Sequence, residues 1–135
     1  MRTLVLIVDD EVDVTVILDL LFQHWGFDTL TAHDGREAYH LATTMQPDLL
    51  LTDFNMPVMD GLQLVNQLAS NNDTSSIPVI MMSAVFELIS DFPVAGKLKK
   101  PFQFDDLKKM ICSIPIAPKR RNWPDLLGCK AVTTS

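Results

Sequence analysis

One hundred and thirty-five residues at 15.1 kDa make one compact domain and leave no room for two. A hydrophobic share of 47% with 21% charged residues supports a packed core and excludes a disordered chain. The net charge of −6 combines an acidic body, two basic against 14 acidic residues over 1–96, with a basic end, nine against three over 97–135, a balance that disfavours nucleic-acid binding.

Short apolar runs alternate with helical periodicity along the chain. Leu4 to Val8 reads as a buried strand stopped by Asp9-Asp10. Val12, Val16, Ile17, Leu20, Leu21 and Trp25 follow helical spacing, and Gly26 ends that helix. Phe27 to Ala32 is a weaker strand, followed by the Asp34-Gly35 turn. Ala38, Leu41, Ala42 and Met45 mark a second helix that Pro47 ends, and Leu49-Leu50-Leu51-Thr52 is a third strand running into Asp53. Asp60-Gly61 turns into a third helix marked by Leu62, Val65 and Leu68. Val79 to Met82 is a fourth strand ending at Ser83, and Ala95 to Lys99 is a fifth ending at Lys100. Between them, Ala84 to Val94 leaves room for a fourth helix of two turns at most. Leu107, Met110, Ile111 and Ile114 then place a final helix.

Five strands alternating with five helices imply right-handed βαβ units, a doubly wound parallel sheet covered on both faces. Residues 1–114 form this domain; residues 115–135, with Pro115, Pro118, Pro124 and Lys119-Arg120-Arg121, read as a tail or linker. No apolar run approaches the ~20 residues that span a bilayer. Met1 and Leu4–Val8 followed by acid give no signal-peptide pattern. Cys112 and Cys129 are too few for a disulfide scaffold. A cytoplasmic protein without membrane contact, monomeric or weakly dimeric, is expected.

Ligands of such sheets bind beyond the carboxyl ends of the strands, where Asp9-Asp10, Asp53, Ser83 and Lys100 all fall. Carboxylates ~5 Å apart repel by roughly 3 kcal/mol per pair at an effective dielectric of ~20. A hard divalent cation such as Mg²⁺ relieves that repulsion, and an adjacent ammonium and hydroxyl suit a phosphoryl group.

Val8-Asp9-Asp10-Glu11, Asp53-Phe54-Asn55-Met56-Pro57-Val58-Met59-Asp60-Gly61, Met82-Ser83-Ala84 and Lys100-Pro101-Phe102 resemble the response-regulator receiver domains of two-component signalling, over residues 3–114 in the family's order. The resemblance implies a flavodoxin-like sheet in the order 2-1-3-4-5. It also implies that Asp53 accepts a phosphoryl group from the phosphohistidine of a sensor histidine kinase or a histidine phosphotransfer protein. By the same resemblance Asp10 ligates Mg²⁺ directly, Asp9 acts mainly through water, and the Asn55 backbone carbonyl completes the protein ligands. Ser83 becomes the switch hydroxyl, Lys100 the phosphoryl partner, and Lys100-Pro101 a cis peptide. Such a protein is a switch whose own chemistry stops at self-phosphorylation and autodephosphorylation.

Two features depart from the family. Lys97 stands where receivers carry an aromatic residue, and the interval from Ser83 to Lys100 is short. Val85, Phe86 and Leu88 are then the residues expected to repack on phosphorylation. An aspartate-nucleophile phosphohydrolase of the haloacid-dehalogenase type is the alternative, but it expects a second Asp where Asn55 stands. A receiver-like scaffold with a vestigial site is disfavoured by the intact Asp9, Asp10, Asp53, Ser83 and Lys100.

Overall fold

A computed structural model describes residues 3–114; the expected tail at 115–135 lies outside the described residues. The elements run β1 (Leu4–Val8), α1 (Val12–His24), β2 (Asp28–Ala32), α2 (Gly35–Met45), β3 (Leu49–Asp53), α3 (Gly61–Ala69), β4 (Val79–Ser83), β5 (Gly96–Lys99) and α4 (Phe104–Ser113). All strand pairs are parallel and their order is β2-β1-β3-β4-β5, as expected for a doubly wound fold.

Successive side chains of a strand point to opposite faces, and this splits the apolar runs between two cores. Val5, Ile7, Leu49, Leu51, Ile80 and Met82 pack with α1 and α4 on one face. Leu6, Val8, Leu50, Val79 and Met81 pack with α2 and α3 on the other. Because both faces are covered, β1, β3 and β4 are buried along their whole length and read as unbroken apolar stretches.

Local signals set the helix ends. Gly26 follows α1 with φ 97°, a conformation glycine adopts without a Cβ clash. The Asp34 carboxylate accepts from the Glu37 amide at the start of α2. Asp60 and Gln63 form a reciprocal capping box at the start of α3.

Two expectations are corrected. The interval 84–94 holds no fourth α-helix, only a single 3-10 turn over Phe86–Leu88. The chain must return the length of a strand, about 16 Å, and a helix rising 1.5 Å per residue would consume roughly ten residues. That leaves nothing of this eleven-residue interval for the turns at either end. Ile89, fully buried, anchors the segment instead, with Phe86, Phe92 and Val94 packed around it.

The second correction concerns the face of α1. Val12, Val16, Ile17 and Leu20 are 50–62% exposed, while Thr15, Leu18 and Phe22 face the core. The helix is apolar around most of its circumference, so the sequence period alone did not select one stripe.

Gly61 ties α3 to the strand end that carries Asp53. A Cβ built there would lie 2.9 Å from the Asp53 carbonyl oxygen and 2.9 Å from the Phe54 Cα. Backbone cannot yield as a flexible side chain does. Gly61→Ala is expected to lower stability by about 1–3 kcal/mol, measured by denaturant unfolding; an unchanged midpoint would contradict this packing.

Candidate functional site

Asp9, Asp10, Asp53, Ser83 and Lys100 all stand at the carboxyl edge of the sheet, each at or just beyond the end of a strand. The β1 ladder runs one residue past the strand, through the Asp9 amide to the Ala32 carbonyl, which fixes Asp9 in full burial. Asp10 is exposed beside it, and Asp53 closes β3 at 6% exposure. A carboxylate oxygen from each of Asp9, Asp10 and Asp53 lies within 4.8 Å of the others. Three hard oxygen donors at that separation suit an oxygen-liganded divalent cation.

Lys100 reaches this cluster from the far side. Its amide donates to the Ser83 carbonyl at 2.8 Å, extending the β4–β5 ladder, and the Lys100-Pro101 peptide is cis. The ammonium Nζ lies 3.0 Å from Asp9 Oδ2 and 3.1 Å from Asp53 Oδ1. The other Asp9 oxygen, Oδ1, accepts from the Glu11 amide at 3.0 Å.

Burial holds the Asp53 carboxyl above the usual aspartate range; Asp9 and Asp10 add to the rise, and Lys100 opposes it without cancelling it. Burial works against the Lys100 charge, yet its hydrogen bonds to Asp9 and Asp53 outweigh it and raise the ammonium above the usual lysine value. The site therefore sets a buried carboxylate under electrostatic load beside a firmly charged cation.

Ser83 is 5% exposed, but its hydroxyl is turned to its own loop. It donates to the Val85 carbonyl at 3.0 Å and accepts from the Val85 amide at 3.1 Å. Asn55 lies exposed in the loop between β3 and α3.

Sequence reasoning missed the link from this edge to the 3-10 segment. The Phe54 and Phe92 rings pack with centroids 5.6 Å apart, joining the residue after Asp53 to the end of that segment. The two are far apart in the chain, so no local pattern signals the pair. Lys97 stays at the surface, its ammonium donating to the Ser90 carbonyl at 2.6 Å. In the segment expected to repack on phosphorylation, Phe86 packs against the core, while Val85 and Leu88 are about half exposed.

Comparison with known proteins agrees with this geometry. Residues 5–112 match the response regulator receiver domain family. Sporulation initiation phosphotransferase F of Bacillus subtilis is 32% identical over 116 residues, covering 82% of this chain and 92% of that protein. The transcriptional regulatory protein PrrA of Mycobacterium tuberculosis is 44% identical over 111 residues, 76% of this chain but 46% of its own length. Regulatory protein AtoC of Escherichia coli is 35% identical over 112 residues, 79% of this chain and 24% of that protein. The chain thus spans a quarter to a half of the length of these two regulators. Among solved structures, chemotaxis protein CheY4 of Vibrio cholerae has a TM-score of 0.78 at 28% identity, covering 85% of this chain and 100% of that one. Response regulator TrrA of Thermotoga maritima, solved with Mg²⁺ and BeF, has a TM-score of 0.73 at 27% identity, over 79% and 94% of the two chains. By its sequence, its sheet order and the carboxylates gathered at one edge, this chain belongs to the response regulator receiver domains, the phosphoacceptor switches of two-component signalling.

Proposed function

We propose that Asp53 is the phosphoacceptor, and that Asp9, Asp10, Asp53 and the Asn55 backbone carbonyl hold Mg²⁺. The observation that carries this reading is the Lys100 ammonium between Asp9 and Asp53, with the Asp10 carboxylate in the same cluster. Both Asp9 oxygens already accept hydrogen bonds from the protein. Exposed Asp10 is therefore the freer direct ligand, and Asp9 acts through water.

In the transfer, an Asp53 oxygen attacks the phosphorus of a phosphohistidine; the new P–O bond forms as the P–N bond breaks and the imidazole leaves. Bound magnesium supplies charge neutralisation at the phosphoryl oxygens. The Lys100 ammonium, already 3.1 Å from Asp53, pairs with one of them. Ser83 has a single hydroxyl proton. Donating it to a phosphoryl oxygen forfeits its bond to the Val85 carbonyl and loosens the entry to the 3-10 turn. Self-phosphorylation from a small donor and hydrolysis of the acyl phosphate complete the chemistry of Asp53.

The donor is a sensor histidine kinase or a histidine phosphotransfer protein in the cytoplasm. Its docking face is the exposed apolar side of α1, Val12, Val16, Ile17 and Leu20. A groove of about 340 Å³ beside it is lined by Ile17, Phe104 and Lys100, which puts that face next to the site. Residues 1–114 are assigned to the receiver and 115–135 to a tail or linker on sequence composition.

Acetyl phosphate with Mg²⁺ is expected to add one phosphoryl group, read by intact mass, and chelator is expected to abolish the gain. Labelling of Asp53→Asn to the parent level would overturn the assignment.

The raised Asp53 carboxyl also sets a stability effect. The folded state binds this proton more tightly than the unfolded chain, so stability falls as pH rises from the ordinary aspartate range through the raised value. In chelator at neutral pH, Asp53→Asn is expected to be more stable by on the order of 1 kcal/mol. The gain disappears in acid below the ordinary aspartate value, where both states carry the proton. Thermal melts against pH check this, and a destabilised Asn variant at neutral pH would refute it.

Ile17→Asp separates docking from chemistry. It is expected to slow transfer from a phosphorylated histidine phosphotransfer protein about tenfold or more, while labelling by acetyl phosphate stays within twofold. Equal loss with both donors would mean that the α1 face acts on the site itself.

A further inference from the structure

Lys97 pairs with Met81 across the β4–β5 ladder, so its side chain leaves the sheet on the Met81 face, where the 3-10 segment packs. Its ammonium donates to the Ser90 carbonyl at 2.6 Å. The same segment is tied at its entry by the two bonds between Ser83 and Val85, and at its exit by Phe92 against Phe54.

These ties differ in what phosphorylation does to them. The bond from the Ser83 hydroxyl to the Val85 carbonyl is given up when the hydroxyl turns to a phosphoryl group; the Lys97 bond involves no group of the site. A full helix would move as a rigid body, held by its own ladder. A three-residue turn has no such ladder, and once its entry is released it needs an external pivot.

We infer that Lys97 is a positioning residue whose ammonium pins the Ser90 end of this segment, so that release at Ser83 swings residues 84–88 about a fixed point. This rests on the roles of Asp53 and Ser83 given above. The side chain is shaped for such a pin, since its stem lies half-buried against the sheet while its head reaches a carbonyl seven residues back. The aromatic residue expected at this position would fill space; the lysine fixes a backbone atom.

Amide exchange on the full chain tests it, with and without beryllofluoride and Mg²⁺. In the parent, the activating pair is expected to deprotect residues 84–88 and leave 89–92 protected. Lys97→Met keeps the stem and removes the donor; residues 89–92 are then expected to exchange roughly three- to tenfold faster before any activation. Lys97→Arg restores a donor and is expected to return the parent pattern. Unchanged protection of 89–92 in Lys97→Met overturns the pin, as does failure of Lys97→Arg to restore a loss seen in Lys97→Met. If 84–88 in the parent ignore beryllofluoride while Lys97→Met still loosens 89–92, the Ser83 coupling fails, and with it the swing; the pin alone is upheld.

Discussion

One ammonium held between two buried carboxylates sets the terms for the rest of the molecule. Lys100 follows β5, and Asp9 follows β1, with β3 and β4 lying between them. Three strand spacings amount to about 14 Å, more than a lysine side chain spans unaided. The meeting therefore depends on every strand being parallel, in this order and in register, and on the loop after β5 turning inward. A slip by one residue in any ladder would send the side chains at the strand ends to the opposite face. The charge cluster thus reports on the assembly of β1, β3, β4 and β5, with the two apolar cores beneath it.

How much of this was legible before the structure follows from the same physics. Strands buried on both faces read as apolar runs, and each run stops at the carboxyl edge of the sheet in polar residues, so Asp9, Asp10, Asp53, Ser83 and Lys100 stood out as punctuation. Their chemistry was legible because carboxylates, a hydroxyl and an ammonium are individually costly at such ends and jointly useful. The face of α1 was not, since apolar residues circle the helix and burial is decided by what packs against it. Nor was the role of Ile89 or the Phe54–Phe92 contact, which exist only once β3 and the segment after β4 are neighbours.

The lost helix shows how a fold absorbs a shortened connection. With too few residues to return by helix, the chain returns by a turn and an extended stretch, and one side chain, Ile89, replaces an apolar stripe as the plug of that face. The result is a cover with few internal bonds of its own, dependent on contacts to its surroundings. Each of those contacts is made by a residue that belongs to the sheet edge or adjoins the site: Ser83 with Val85, Phe54 with Phe92, Lys97 with Ser90. Through these contacts the cover is tied directly to the carboxylate edge of the sheet.

A further consequence attaches to β5, which ends the sheet. A terminal strand offers its outer backbone groups to any passing chain, and short, uncharged, apolar edges recruit copies of themselves into aggregates. This one reads Gly-Lys-Leu-Lys, with Lys97 and Lys99 on the same side of the pleat. Two copies meeting edge to edge would crowd four ammonium groups together. The lysine that departs from the family pattern thus stands, with Lys99, as positive charge on the strand that ends the sheet, a composition unfavourable to edge-to-edge pairing.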